Sequence, residues 1–137
     1  MKLKLQDSTG KVISDNFYWY STTPDVLGGH CKWYYCPTKT YADLTALAMM
    51  PAVTVSHTDT ITTNSVTTTL TNSNISLAFL IRLRVTNSGN EVLPVFWSDN
   101  YITLLPGESR TETATFNAGT LPAGSIVQVD GFNITPN

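Results

Sequence analysis

The stretch Leu77-Ala78-Phe79-Leu80-Ile81-Arg82-Leu83-Arg84-Val85 decides the fold class. Side chains along a strand point to opposite faces in turn, so residues two apart share a face. Phe79, Ile81, Leu83 and Val85 are therefore expected on one buried face, with Arg82 and Arg84 on the other. The same period of two recurs on both sides. Val66, Thr68 and Leu70 repeat it, valines alternate with hydroxyls between Val53 and Asp59, and Leu3 and Leu5 alternate with Lys2 and Lys4. The run from Lys11 to Tyr20 is strand-like. So are those from Glu91 to Trp97, Asn100 to Leu105, Arg110 to Phe116 and Ser125 to Ile134.

Turn-formers separate these runs: Asp7-Ser8-Thr9-Gly10, Asn87-Ser88-Gly89-Asn90, Leu105-Pro106-Gly107-Glu108 and Leu121-Pro122-Ala123-Gly124. One segment departs from the pattern. Tyr41, Leu44 and Leu47/Ala48 lie at helical spacing, Thr40 with Asp43 resembles a capping box, and Pro51 stops the run, which predicts a helix of about two turns. Many short strands without a repeating αβ unit predict an all-β fold: an antiparallel immunoglobulin-like β-sandwich with one short helix in a connection. The Cys…Trp…Cys spacing of antibody domains is absent, so the likeness is one of architecture.

Composition narrows the function. The 137 residues suffice for one domain with its own core, read as a single unit over 1–137. Only 13% of them are charged, about half the usual share, and about one residue in six is threonine. A net charge of −2 with 8 Lys and Arg argues against nucleic acid as a partner, because phosphate affinity rests on those side chains. No uncharged apolar run reaches about 18 residues, so no membrane partner or span is expected. No secretory leader opens the chain, which starts inside an alternating run and reads as a domain excised from a longer protein.

No catalytic constellation emerges. Glu91, Glu108 and Glu112 sit by turns or on a threonine-rich strand, where a solvated carboxylate is expected, and no G-x-S-x-G elbow is present. His57, on an alternating strand, reads as a packing residue. A zinc site would need His30, Cys31, Cys36 and His57 to converge, so neither a metal nor a cofactor is expected. Two ordinary thiols are the plainest reading of Cys31 and Cys36, with a local disulfide as the alternative.

Two features stand out. Eight of the fourteen aromatics fall in the first third, as Phe17, Tyr18, Trp19, Tyr20, Trp33, Tyr34, Tyr35 and Tyr41. Consecutive aromatics on a strand cannot all enter one core. The outward members are expected to meet another domain or to stack on sugar rings, with domain contact favoured. The second feature is a near-repeat, Ser14-Asp15-Asn16 and Ser98-Asp99-Asn100, each followed by an aromatic. Ser, Asp and Asn bond to nearby backbone, so each copy predicts a bulge or kink. The interface or carbohydrate candidates are Trp19, Tyr18, Trp33, Trp97, Asp99 and Asn100. The sequons at Asn74 and Asn133 are expected by chance in so hydroxyl-rich a chain.

Several runs together carry a family resemblance: Ile13-Ser14-Asp15-Asn16-Phe17-Tyr18-Trp19, Trp33-Tyr34-Tyr35, Tyr41-Ala42-Asp43-Leu44-Thr45-Ala46-Leu47, Ala78-Phe79-Leu80-Ile81-Arg82-Leu83-Arg84, and Phe96-Trp97-Ser98-Asp99-Asn100-Tyr101-Ile102-Thr103-Leu104-Leu105-Pro106-Gly107-Glu108-Ser109. In this order they resemble the C-terminal Ig-like domain of glycoside hydrolase family two enzymes. The branch is that of the exo-β-D-glucosaminidases and related β-mannosidases, including mannosylglycoprotein endo-β-mannosidase. Leu27-Gly28-Gly29-His30-Cys31-Lys32 departs from the pattern. The resemblance implies retaining glycosidases whose two catalytic glutamates lie in a central (β/α)8 barrel, so no catalytic residue transfers to this chain. It implies the barrel and other domains of a parent chain as partners, a β-linked glycan as a further one, and a periplasmic or secreted parent.

Overall fold

The computed structural model describes residues 1–116 and 121–137 and divides into two compact units, Met1–Met50 and Pro51–Asn137. In the first unit, β1 (Lys2–Gln6) and β2 (Val12–Phe17) form an antiparallel hairpin, and β3 (Val26–Leu27) pairs with β4 (Thr38–Thr40). The hairpin turn follows from its residues. Asp7 Oδ1 accepts from the backbone N–H of Thr9 and of Lys11, and Gly10 takes the left-handed φ of 86° that closes it.

The expected helix is shorter and later than its spacing predicts: a 3-10 helix over Thr45–Met49. Thr40 belongs to β4, so the capping box does not form. Asp43 instead accepts from both the N–H and the hydroxyl of Thr45, at 2.9 and 2.7 Å. This local bond starts the turn late, and Met50, extended before Pro51, ends it within five residues.

The second unit holds β5 (Ser56–Ile61), β6 (Ser65–Thr71), β7 (Ala78–Asn87), β8 (Asn90–Glu91), β9 (Phe96–Trp97), β10 (Ile102–Leu104), β11 (Ser109–Thr115) and β12 (Ile126–Asp130). One sheet runs β5-β6-β11-β9. The other runs β10-β7-β12 with β8 beside β7, and the strand pairs in both are antiparallel. Val66, Leu70 and Ala114 from the first sheet meet Ile81, Leu83, Val85, Leu104 and Val129 from the second in one buried cluster. That is the antiparallel sandwich the alternation predicts. The opposite face of the first sheet carries hydroxyls in register. Ser56, Thr71 and Ser109 form one row, Thr58, Thr69 and Thr111 the next, and Thr69 and Thr111 are bonded at 2.9 Å.

One core expectation needs correction. Ile81, Leu83 and Val85 are buried as predicted, but Ala78 takes the fourth place and Phe79 is only half-buried. Ile102 pairs with Ile81 and Leu104 with Ala78, so three steps along β7 oppose two along β10. Leu80, at φ 51°, absorbs the extra residue as a bulge that shifts the alternation. Phe79 turns instead to Phe132, ring edge to face at 5.6 Å.

Asparagines staple this charge-poor sandwich. Fully buried Asn72 donates to the carbonyls of Ser76 and Leu104. Asn100 exchanges two bonds with Leu83, accepting from its N–H at 2.8 Å and donating to its carbonyl at 3.0 Å, which extends the β10 ladder by a side chain. Asn133 accepts from the Phe79 N–H and donates to the carbonyls of Pro51 and Leu77. Each amide satisfies buried backbone groups that would otherwise lack partners.

Candidate functional site

In the first unit Cys31 and Cys36 are joined in a disulfide, which corrects the reading of two ordinary thiols. The reason is local. Lys32 and Tyr35 exchange backbone bonds of 2.7 and 3.3 Å, folding the chain so that the flanking cysteines come together. The closed loop displays Trp33, 95% exposed, with the Tyr34 ring edge-on at 5.2 Å. Strand β2 ends at Phe17, Tyr18 still pairs with Met1 through backbone bonds of 2.8 and 2.6 Å, and the aromatics after it leave the ladder. Trp19 lies edge-on to Phe17 at 5.1 Å, and Tyr18 lines a hollow of about 230 Å³ with Leu3, Leu5 and Asn16. The first Ser-Asp-Asn copy is not a kink. Ser14, Asp15 and Asn16 are regular β2 residues, the register shift falls beside them at Ile13, and Asp15 takes the Lys2 ammonium at 3.0 Å.

The second copy is the expected kink. It brings together Trp97, Asp99 and Asn100 between β9 and β10. Trp97 packs against the core edge, and Asp99 binds Arg110. The Arg110 Nε reaches Glu112 Oε1 at 2.5 Å, and the Ser98 hydroxyl donates to the same carboxylate. Glu112 is 3% exposed, so the expectation of a solvated carboxylate fails there. Residues two apart on β11 share the inward face, and the guanidinium and hydroxyl make a buried charge tolerable. Glu108 accepts from the Leu105 N–H in its turn. His57 is half-buried as expected, with Nδ1 2.9 Å from Asp59 Oδ2.

A groove of about 420 Å³ on the second unit was not anticipated. Leu80, Tyr101 and Phe132 form its apolar walls, and Arg82 and Asp130 its polar edge. Leu80 and Tyr101 both hold left-handed backbone, φ 51° and 56°, which side-chain-bearing residues seldom adopt. Arg82 grips Asp130 through Nε and Nη2, both at 2.7 Å, and Arg84 adds a third bond of 2.7 Å. The sequence signal was the shared face of Arg82 and Arg84. Their partner became visible only with the register that sets Asp130 opposite Arg82.

Hydrogen bonding from Arg82 holds the Asp130 carboxyl below the usual carboxylate range, against the opposing effect of burial. A depressed carboxyl stabilises the fold above its unfolded value of about 3.9 and loses that contribution as pH falls through the folded value. Arg82 is 39% exposed, so solvent screening limits the pair to about 1 kcal/mol. Urea unfolding from neutral pH into acid should show wild type losing this increment below about pH 4. Asp130→Asn should lack it throughout, and parallel profiles for the two proteins would contradict the assignment.

With this geometry in place, the chain can be set beside known proteins. A family model described as the exo-β-D-glucosaminidase Ig-fold domain matches residues 33–134. The chain belongs to that family. The match spans Trp33, Trp97, Asp99 and Asn100 and begins after Tyr18 and Trp19. The exo-β-D-glucosaminidase of Streptomyces avermitilis is 42% identical over 96% of this chain but 16% of its own length. That of Arthroderma benhamiae is 43% identical over 98% of this chain and 15% of its own length. Among solved structures, the Amycolatopsis orientalis exo-chitosanase superposes with a TM-score of 0.77 at 36% identity, covering 99% of this chain and 17% of that one. This glucosaminidase-type Ig domain thus spans about one sixth of the length of its relatives. Those relatives are exo-β-D-glucosaminidases, and the β-mannosidase side of the resemblance finds no support among them.

Proposed function

We propose that residues 1–137 act as one non-catalytic domain of a larger exo-β-glucosaminidase, packing against its catalytic (β/α)8 barrel and helping to wall the pocket. The observation that carries this reading is the asymmetry of coverage: 99% of this chain answers to 17% of an exo-chitosanase. The surface is of the right kind. Trp33, Tyr34, Tyr35 and Tyr41 are all more than 60% exposed, and Leu3 and Leu5 stand open on the hairpin. An uncharged aromatic surface of this kind suits a contact between domains. The catalytic glutamates then belong to the barrel, and the substrate is a β-linked glucosamine chain. The Cys31–Cys36 disulfide fits a periplasmic or secreted parent.

The test is a full-length parent carrying Trp33→Ser with Tyr34→Ser. Loss of an interface anchor should lower its thermal stability or cut kcat/KM on glucosamine oligomers at least about tenfold. Unchanged stability and hydrolysis would sink the packing role. The 95% exposure of Trp33 also favours a second reading, a carbohydrate-binding module using Trp19, Trp33 and Tyr18 as a stacking platform. Titration of the chain with glucosamine oligosaccharides while following tryptophan fluorescence separates the two, since only the module gives a saturable change.

A further inference from the structure

We propose that the groove bounded by Tyr101, Phe132 and the Arg82–Asp130 pair is a binding site for an uncharged pyranose, such as an N-acetylglucosamine unit, distinct from the aromatic loop of the first unit. It is an open surface depression of about 420 Å³, with room for a sugar ring to lie against its walls. Tyr101 and Phe132 are 58% and 54% exposed, so the rings that border it are open to an incoming ligand rather than spent in the core. A pyranose has an apolar face to lie on a ring and equatorial hydroxyls at its rim to meet planar polar groups.

The polar edge is already rigid. Arg82 and Asp130 hold each other by two parallel bonds of 2.7 Å, and Arg84 braces the same carboxylate. No side-chain freedom is lost there when a ligand arrives. The backbone supports this too. Of the three non-glycine residues with left-handed backbone among the described residues, Leu80 and Tyr101 line the groove and Ser88 does not, and such strain gathers at functional sites. At Gly131, another lining residue, a Cβ would lie 2.6 Å from the Leu80 carbonyl oxygen, so the chain there is packed with no side chain to spare.

Charge decides the class of ligand. Within the groove Arg82 and Asp130 offset each other, and Arg84, which braces the same carboxylate, is not among the lining residues. A protonated amine gains little, because the Asp130 carboxylate already accepts three bonds from Arg82 and Arg84. An anion gains little, because Arg82 Nε and Nη2 and Arg84 Nη2 are already taken by Asp130, whose carboxylate itself lines the groove. An uncharged sugar bearing an acetamido or hydroxyl group needs no free ionic partner. The choice of an amino-sugar series as probe rests on the proposed glucosaminidase context. The site itself rests on the groove.

Ligand-observed NMR titration of the 137-residue chain with the trimers of N-acetylglucosamine and of glucosamine, in mildly acid buffer where the free amine is protonated, tests this. The acetylated trimer should bind saturably and at least about tenfold more tightly than the amine. Tyr101→Gly removes the ring while relieving the left-handed strain, so the fold should hold and binding should fall about tenfold or more. Trp33→Ser should leave the affinity unchanged. Equal affinity for the two trimers, no saturable binding of the acetylated one, or binding lost with Trp33 and kept with Tyr101→Gly would each overturn the proposal. None of these outcomes depends on whether a parent enzyme cleaves glucosamine.

Discussion

Leu83→Ala should destabilise the second unit by about 4 kcal/mol and lower its melting temperature by roughly 15–30 °C. Leu83 is 1% exposed and sits mid-strand on β7, with β10 and β12 on either side and the inward faces of β6 and β11 opposite. Truncation removes its transfer free energy and leaves a cavity that neighbours pinned on three sides cannot collapse to fill. The backbone there is held as well, because Asn100 bonds both its N–H and its carbonyl. Against a total stability of about 5–15 kcal/mol, a loss of that size is readily measured by thermal and urea unfolding. Phe79→Ala offers the contrast, with a smaller loss of about 1–2 kcal/mol, since the bulge at Leu80 has turned that ring out of the main cluster. Equal losses at the two positions would mean that the bulge does not divide them.

The next largest effect is expected at Asn133. Its side chain is engaged three times: Oδ1 accepts from Phe79 at 2.9 Å, and Nδ2 donates to Pro51 and Leu77, both at 2.8 Å. Asn133→Ala leaves these backbone groups without their partners in a residue site only 8% exposed, for a loss of about 3 kcal/mol at roughly 1 kcal/mol per bond. Asn133→Asp is the sharper probe, because it keeps the shape but replaces the donor with an acceptor facing two carbonyls. It should be at least as damaging at neutral pH. If urea midpoints for both variants stay within about 0.5 kcal/mol of wild type, water replaces the amide and the staple is dispensable. Both hydrogens of Nδ2 are committed in the fold, so the Asn133-Ile134-Thr135 sequon is closed to glycan attachment in the folded domain.

Residues whose meaning was periodic were legible in the sequence. Val66, Leu70, Ile81, Leu83 and Val85 lie in the core because alternation assigns them to one face, and the face determines burial. Turns were legible for the same local reason, as at Asp7 and Gly10. Misreadings came where one residue changed the count or a side chain took over a backbone role. The left-handed Leu80 displaced Phe79, and Asp43 bonded Thr45 at the start of a shorter turn than the spacing of Tyr41 and Leu44 suggested. Glu112 looked solvated because threonines surround it in sequence, yet on a strand its true neighbours are Arg110, two residues back, and Ser98 on another segment.

The site candidates divide along the same line. Trp33 could be named from its aromatic run alone, and Asp99 and Asn100 from their tendency to bond local backbone. The groove could not. Arg82 and Asp130 lie 48 residues apart, and Asn133 and Pro51 lie 82 apart. By itself the sequence determined an antiparallel sandwich of low charge, most of the face that the strands of the second unit bury, and the known domain that it resembles. The tertiary structure alone decided which polar groups meet. Periodicity is a property of adjacent residues, whereas strand register follows from the packing of two sheets whose partners are distant along the chain.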